Sequence, residues 1–107
     1  MQALRSVRAA LVIVPLALAA CATASLPSRQ ATEADLAAAR AALLQAEPVA
    51  HRYAAAELRV AQDKLARAEQ AMSRDEWPQA RRLAEEAEVD ARYAWALAEN
   101  ERSRRSE

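Results

Sequence analysis

The residues of this 107-residue chain that could do chemistry do not form a catalytic or metal-binding set. At 3.6 residues per turn, the carboxylates of the densest acidic cluster would spread around a helix and could not converge on one ion. His51 is the only histidine and has no cysteine near it, so a surface or capping role is favoured over metal binding. The chain has no glycine and so no glycine-rich loop that could cradle a phosphate. We therefore predict no enzyme, no cofactor and no metal. The acidic cluster is Glu85, Glu86, Glu88 and Asp90.

Cys21 is the other chemically distinctive residue, because it is the only cysteine and follows an apolar run. The first eight residues contain Arg5 and Arg8 and no acid, and residues 9–20 carry no charge. A basic start, a short apolar stretch and small residues before a cleavage site are typical of a secretory signal peptide. The run is shorter than the roughly 20 apolar residues that span a bilayer. An ordinary signal peptide with a chance cysteine is the alternative.

The four residues Leu18-Ala19-Ala20-Cys21 resemble the lipobox of bacterial lipoproteins. This resemblance implies cleavage after Ala20 and acylation of the Cys21 thiol by fatty acids such as palmitate. The mature protein would then be held at a membrane by lipid on Cys21. By analogy with the sorting of other lipoproteins, Ala22 in place of aspartate suggests the outer membrane, with the domain facing the periplasm.

The composition of the remaining 87 residues predicts a single small all-α domain. All 15 acidic residues lie after residue 20, against 13 basic ones, so the mature chain carries a net charge of about −2. This is not the basic footprint of a nucleic-acid-binding protein. Alanine, arginine, glutamate and leucine dominate, and all four are strong helix formers.

Apolar periodicity divides the mature chain into a tether (21–32), a helical domain (33–102) and a frayed tail (103–107). Thr32 with Asp35 resembles a capping box, so helix 1 should run over 33–47 until Pro48 stops or kinks it. Helix 2 should begin near Ala50. Its apolar stripe is Ala54, Leu58, Ala61, Leu65, Ala68 and Met72.

Helix 3 is predicted over residues 76–102, with Ser73 or Asp75 as its cap and Pro78 in its first turn. Its 4-3-4-3-4 stripe consists only of alanine, so helix 3 should dock closely on helix 2 as an antiparallel hairpin, with helix 1 folding back as a third member. Leucines should line one edge of this stripe, and Trp77 and Trp95 should seal the edge toward helix 2. The stripe, which we call the alanine seam, is Ala80, Ala84, Ala87, Ala91, Ala94 and Ala98.

The pattern of residues along helices 2 and 3 is similar to that of domain of unknown function 4398, an alanine-rich helical domain of bacterial envelope lipoproteins. The resemblance covers residues 33–100 and implies location and fold, but no biochemical activity. One departure is Ala54, where that family often has proline. The resemblance rests on Tyr53-x-x-x-Glu57-Leu58-x-x-Ala61-x-x-Lys64-Leu65-x-x-Ala68 and on Trp77-x-x-Ala80-Arg81-x-Leu83-Ala84-Glu85-x-Ala87-x-x-Asp90-Ala91.

These observations predict a lipid-anchored envelope protein that acts as a structural or protein-interaction module. Val89 and Tyr93 are four residues apart on helix 3, away from the alanine seam, and are the best candidates for contact with an envelope protein. Self-association is left open. The alternative function is a small helical carrier or chaperone for a hydrophobic ligand in the periplasm.

The lipobox resemblance can be tested on the precursor. Several acyl chains, at about 0.8 kcal/mol for each buried CH₂ group, give stable membrane residence. We expect Cys21→Ser to leave the precursor uncleaved and to abolish lipid attachment, as seen by mass spectrometry of the purified protein. An unmodified Cys21 in the wild-type protein would show that the lipoprotein interpretation is wrong.

Overall fold

The computed structural model describes residues 28–106, and its regular structure there is entirely helical. Helix α1 is Arg29–Tyr53, α2 is Ala55–Ser73 and α3 is Trp77–Arg105. The prediction of an all-α domain with three helices is confirmed. None of these three helices is both long and apolar enough to cross a membrane. The predicted signal peptide, the cleavage site at Ala20 and the lipidation site at Cys21 lie outside the described residues.

The three helices form a bundle in which α1 and α3 run parallel and α2 runs antiparallel to both. Arg40 and Glu69 form an ion pair at 3.0 Å between the middle of α1 and the later part of α2. Asp35 and Arg81 pair at 3.0 Å near the starts of α1 and α3. At the other end of the same two helices, the Arg105 guanidinium lies 5.4 Å from the centroid of the Tyr53 ring.

Helix α1 begins at Arg29, earlier than predicted, because Ser28 and not Thr32 is its N-cap. The Ser28 hydroxyl accepts a hydrogen bond from the Ala31 backbone N–H at 3.1 Å. Thr32 is buried in the first turn, where its hydroxyl donates to the Ser28 carbonyl at 2.9 Å. The last residues of the predicted tether are therefore helical.

Pro48 does not end α1, and the prediction that α2 begins near Ala50 is wrong. Proline at this position removes the donor to the Leu44 carbonyl, but Leu44 is on the exposed side of the helix, where water can replace that bond. On the opposite side, buried Val49 and Ala50 pack into the core and hold the helix in place. The chain reverses at the single residue Ala54, which has φ −149° and ψ 47°.

A Schellman turn, not a side-chain cap, connects α2 to α3. The Glu76 N–H donates to the Ala71 carbonyl at 3.0 Å and the Asp75 N–H to the Met72 carbonyl at 3.1 Å. Asp75 takes the left-handed conformation, with φ 60°, that glycine usually supplies. The predicted caps are not formed: Glu76 precedes α3 without a side-chain cap, and the Ser73 hydroxyl donates back to Gln70.

The alanine seam of α3 is the centre of the bundle, since the structure leaves 0% of each of its six residues exposed. Helices α1 and α2 both pack against it. One apolar cluster joins its later half to residues of α1 such as Ala46 and Ala50, and to Leu58 of α2. A second cluster joins its earlier half to Leu36, Ala39 and Ala68. Both clusters are built from residues 36–98, so the segment 28–107 contains all of the core that the structure describes.

Helix α3 continues to Arg105, three residues beyond its predicted end, and Ser106 caps it. Arg105 donates to Glu101 at 3.1 Å and also stacks over Tyr53 of α1. These two contacts order most of the segment that was predicted to fray.

Overpacking the alanine seam should destabilise the bundle. Ala87→Leu adds a branched side chain where α1, α2 and α3 meet, and overpacking of this kind typically costs about 1–3 kcal/mol. We expect a lower melting temperature by circular dichroism. Ala96→Leu, on the exposed side of the same helix, is the control and should change little. Equal effects at the two positions would rule out close packing at the seam.

At the turn residue Asp75, we predict a substitution that stabilises the bundle. Because a left-handed residue is strained unless it is glycine, Asp75→Gly should raise the free energy of unfolding by about 0.5–1 kcal/mol. Ala66→Gly, in the exposed middle of α2, is the control and should lower it by about 1 kcal/mol. Destabilisation by both substitutions in a denaturant titration would contradict the Schellman turn.

Candidate functional site

Among residues 28–106, five large apolar side chains remain exposed, and they lie over the three grooves between the helices. Such side chains, when they lie together, are the usual mark of a contact surface. Val60, Val89 and Tyr93 lie over the α2–α3 groove, Trp95 lies over the α1–α3 groove and Leu44 over the α1–α2 groove.

The largest of these groups is the one that spans α2 and α3, which we call the Val60–Val89–Tyr93 surface. The exposed fractions are 63% for Val89, 60% for Tyr93 and 49% for Val60. Tyr93 and Val60 share a shallow cleft of about 210 Å³ with Glu57 and Asp90. The two residues of α3 predicted for partner contact are thus exposed, and α2 adds a third apolar side chain beside them.

An ion pair lies beside this surface and joins the two helices that carry it. The Lys64 ammonium is 2.7 Å from Asp90 Oδ2, and both side chains are half-buried. The hydrogen bond from Lys64 to Asp90 is the main reason that the pKa of Lys64 is raised above its ordinary value. A raised pKa means that this attraction is fully present below the ordinary lysine pKa and is lost only as pH rises through the raised value. Lys64 therefore keeps its positive charge across the physiological pH range.

The two tryptophans lie at the α1–α3 edge, so the prediction that they seal the α2–α3 edge is wrong. Trp95 lines a groove of about 420 Å³ with Pro48, Val49 and Tyr53 of α1. Trp77 is half-buried, and the Arg29 guanidinium of α1 lies 5.7 Å from the centroid of its ring. The reason is that the alanine seam faces both other helices, so one edge of the seam meets α1 and the other meets α2.

His51 lies in the α1–α2 groove, where a volume of about 390 Å³ is lined by Leu44, Pro48 and Leu58 among others. The side chain of His51 is exposed. Within residues 28–106, no group of three histidine, cysteine, aspartate or glutamate side chains could hold a metal ion.

The acidic cluster of α3 is distributed over separate cationic partners, as its helical spacing predicts. Glu85 pairs with Arg81, Glu88 with Arg92 and Asp90 with Lys64. Four-residue spacing allows four opposite-charge pairs on α3. Three of them are formed: Arg81 with Glu85, Glu88 with Arg92 and Glu101 with Arg105. The fourth, Arg82 with Glu86, is not formed among the described residues.

Val60 is not among the contact residues that the sequence predicts. Its position on the helix could have indicated it. Val60 lies between Leu58 and Ala61 in the sequence, but on a helical wheel it faces away from the stripe to which those two residues belong. The outward position of Val60 became meaningful only when the packing of α2 on α3 placed it next to Tyr93.

A comparison with known families identifies the type of domain that carries this surface. The family model described as domain of unknown function (DUF4398) matches residues 34–107, more than two thirds of the chain. The chain therefore belongs to this family, as the resemblance in its sequence predicted. No curated protein and no solved structure matches it.

Proposed function

We propose that this member of the DUF4398 family is a lipid-anchored envelope protein that works by contact with another protein and has no catalytic activity. Lipid on Cys21 would hold it at a membrane, in our proposal the outer membrane, with the bundle in the periplasm. The observation that carries the proposal is the exposed Val60–Val89–Tyr93 surface beside the half-buried Lys64–Asp90 pair.

The geometry of the bundle supports a role in which the lipid anchor holds one end and the contact surface lies away from the membrane. Ser28, where the tether meets α1, lies at the same end of the bundle as the turn between α2 and α3. From Trp77 at this end, Tyr93 is 16 residues along α3, or about 24 Å at 1.5 Å per residue. A lipid-anchored bundle would thus present Tyr93 well above the membrane surface and near the middle of its length.

The composition of the surface is that of a small contact patch. An aromatic ring and two β-branched side chains form its apolar part, and Glu57, Glu86 and Arg82 lie around it. Interfaces between proteins commonly have an apolar centre, in which tyrosine is enriched, and a polar rim.

The packing of the bundle favours contact over the alternative of carrying a hydrophobic ligand. A carrier needs an enclosed apolar cavity, whereas the centre of this bundle is filled by alanine methyl groups with no exposure to solvent. The volumes between the helices of the described residues are open surface grooves with charged residues in their walls.

The contact proposal predicts that binding and stability separate at Tyr93. Tyr93→Ala removes a side chain that is mostly exposed, so the melting temperature should change little. Truncation of a central aromatic residue in an interface typically costs about 1–2 kcal/mol or more, so recovery of the partner should fall about tenfold. The measurement is quantitative co-purification of envelope proteins after cross-linking in cells, combined with thermal melts of the purified variants.

Leu44→Ala is the matched control, because it removes an exposed apolar side chain from a different groove. It should leave recovery of the partner unchanged. Equal loss with both variants, or a marked fall in melting temperature with unchanged recovery for Tyr93→Ala, would contradict the assignment of the contact to this surface.

A further inference from the structure

The end of the bundle at the α2–α3 turn carries an arginine-lined groove that shares only Arg82 with the rim of the proposed contact surface. The groove has a volume of about 320 Å³, and its apolar floor contains the buried residues Ala71 and Leu83. Its polar walls are formed by Arg67, Gln70, Arg74, Glu76, Gln79 and Arg82.

The walls of this groove carry a net positive charge, since three arginines face one glutamate. Neither Arg74 nor Arg82 forms an ion pair with any residue in the range 28–106, and Arg82 leaves the expected pairing with Glu86 unmade. Arg67 pairs with Asp63 at 3.2 Å, and Glu76 is the one carboxylate in the walls. The first turn of α3, which opens beside the groove without a side-chain cap, adds the positive end of a helix dipole.

The groove is also at the end of the bundle that is closest to the tether. Arg29 of α1 stacks over Trp77, the first residue of α3, so both helix starts and the α2–α3 turn lie together. Seven residue steps separate Cys21 from Ser28, and a fully extended chain of this length spans about 25 Å at most. If Cys21 carries lipid, as proposed above, Ser28 stays within that distance of the membrane surface, and the groove lies at the same end of the bundle.

We propose that this groove binds the phosphate of an anionic phospholipid headgroup in the membrane that anchors the chain. The planar guanidinium groups of Arg74 and Arg82 can each donate two hydrogen bonds to phosphate oxygens. The amides of Gln70 and Gln79 can donate from the sides, and Glu76 can accept from a headgroup hydroxyl. Such binding would orient the turn end of the bundle toward the membrane and direct the Val60–Val89–Tyr93 surface sideways.

The binding test uses a soluble probe and the unlipidated segment 28–107, which contains both apolar clusters of the bundle. Monomeric dihexanoylphosphatidylglycerol is titrated into the labelled protein, and backbone amide shifts are followed by NMR. We expect saturable shifts confined to residues 67–82. Dihexanoylphosphatidylcholine, whose headgroup has no net charge, should bind more weakly, and so should inorganic phosphate, which has no glycerol to contact the apolar floor.

Two double variants that remove the same charge distinguish binding in this groove from nonspecific electrostatic attraction to the protein. Removal of a basic residue near an anionic lipid typically weakens binding about fivefold, so Arg74→Gln with Arg82→Gln should weaken it by tenfold or more. The control, Arg59→Gln with Arg104→Gln, removes the same charge at the other end of the bundle and should bind as the wild type does. Thermal melts of both variants check that each one is folded.

Several outcomes would overturn the proposal. These are the absence of saturable shifts, equal loss of affinity in the two double variants, and equal affinity for the phosphatidylcholine probe. Equal affinity for inorganic phosphate would assign the groove to a free anion and overturn its assignment to lipid. Because the test involves neither Cys21 nor Tyr93, its failure leaves the proposed anchoring and contact standing. Failure of the anchoring would instead be seen as an unmodified Cys21, which is a separate measurement, and would remove the anchoring membrane as the source of the lipid.

Discussion

The structure depends on the absence of any side chain larger than a methyl group along the centre of α3. Six alanines spaced 4-3-4-3-4 are completely buried, and both other helices bring alanines such as Ala46 and Ala61 against them. Helix axes are usually 8–10 Å apart, and alanine contacts bring them to the short end of that range. Close packing of this kind gains dispersion contacts along the whole length of a helix at almost no cost in side-chain entropy. On α3 itself, the larger apolar residues lie at the edges of the seam or on the outer surface.

This arrangement links the core to the proposed function. Leu83 and Leu97 cover the α2 side of the seam, Trp95 covers the α1 side, and the Val60–Val89–Tyr93 surface is left outside. One cross-helix ion pair joins each pair of helices: Arg40 with Glu69, Lys64 with Asp90 and Asp35 with Arg81. Exposed pairs of this kind contribute at most about 1 kcal/mol each. Their main effect is to set the register in which the alanine faces meet, and thereby the outward position of the contact residues.

The core and the exposure of Val89 and Tyr93 could be predicted because helical periodicity alone decides which side chains of α3 share a face. Events that depend on tertiary contacts could not. Pro48 is tolerated because its neighbours pack into the core, and Ala54 reverses the chain although alanine carries no turn signal. Asp75 substitutes for the missing glycine of a Schellman turn, in a chain that contains none. The edge at which the tryptophans lie could not be predicted, because a helical wheel separates the two edges of the alanine seam but does not show which of the other two helices packs on each edge.

The most direct test of the central claim is a methyl NOE experiment on the segment 28–107 with labelled alanine methyl groups. Parallel packing of α1 on the alanine seam predicts strong methyl–methyl NOEs from Ala39 to Ala84 and Ala87, and from Ala46 and Ala50 to Ala91, Ala94 and Ala98. Helix α2 should give NOEs to the same seam in the opposite order, with Ala68 near Ala84 and Ala61 near Ala91. NOEs from α2 alone, or α1 contacts in reversed order along the seam, would contradict the three-helix packing on which the account depends.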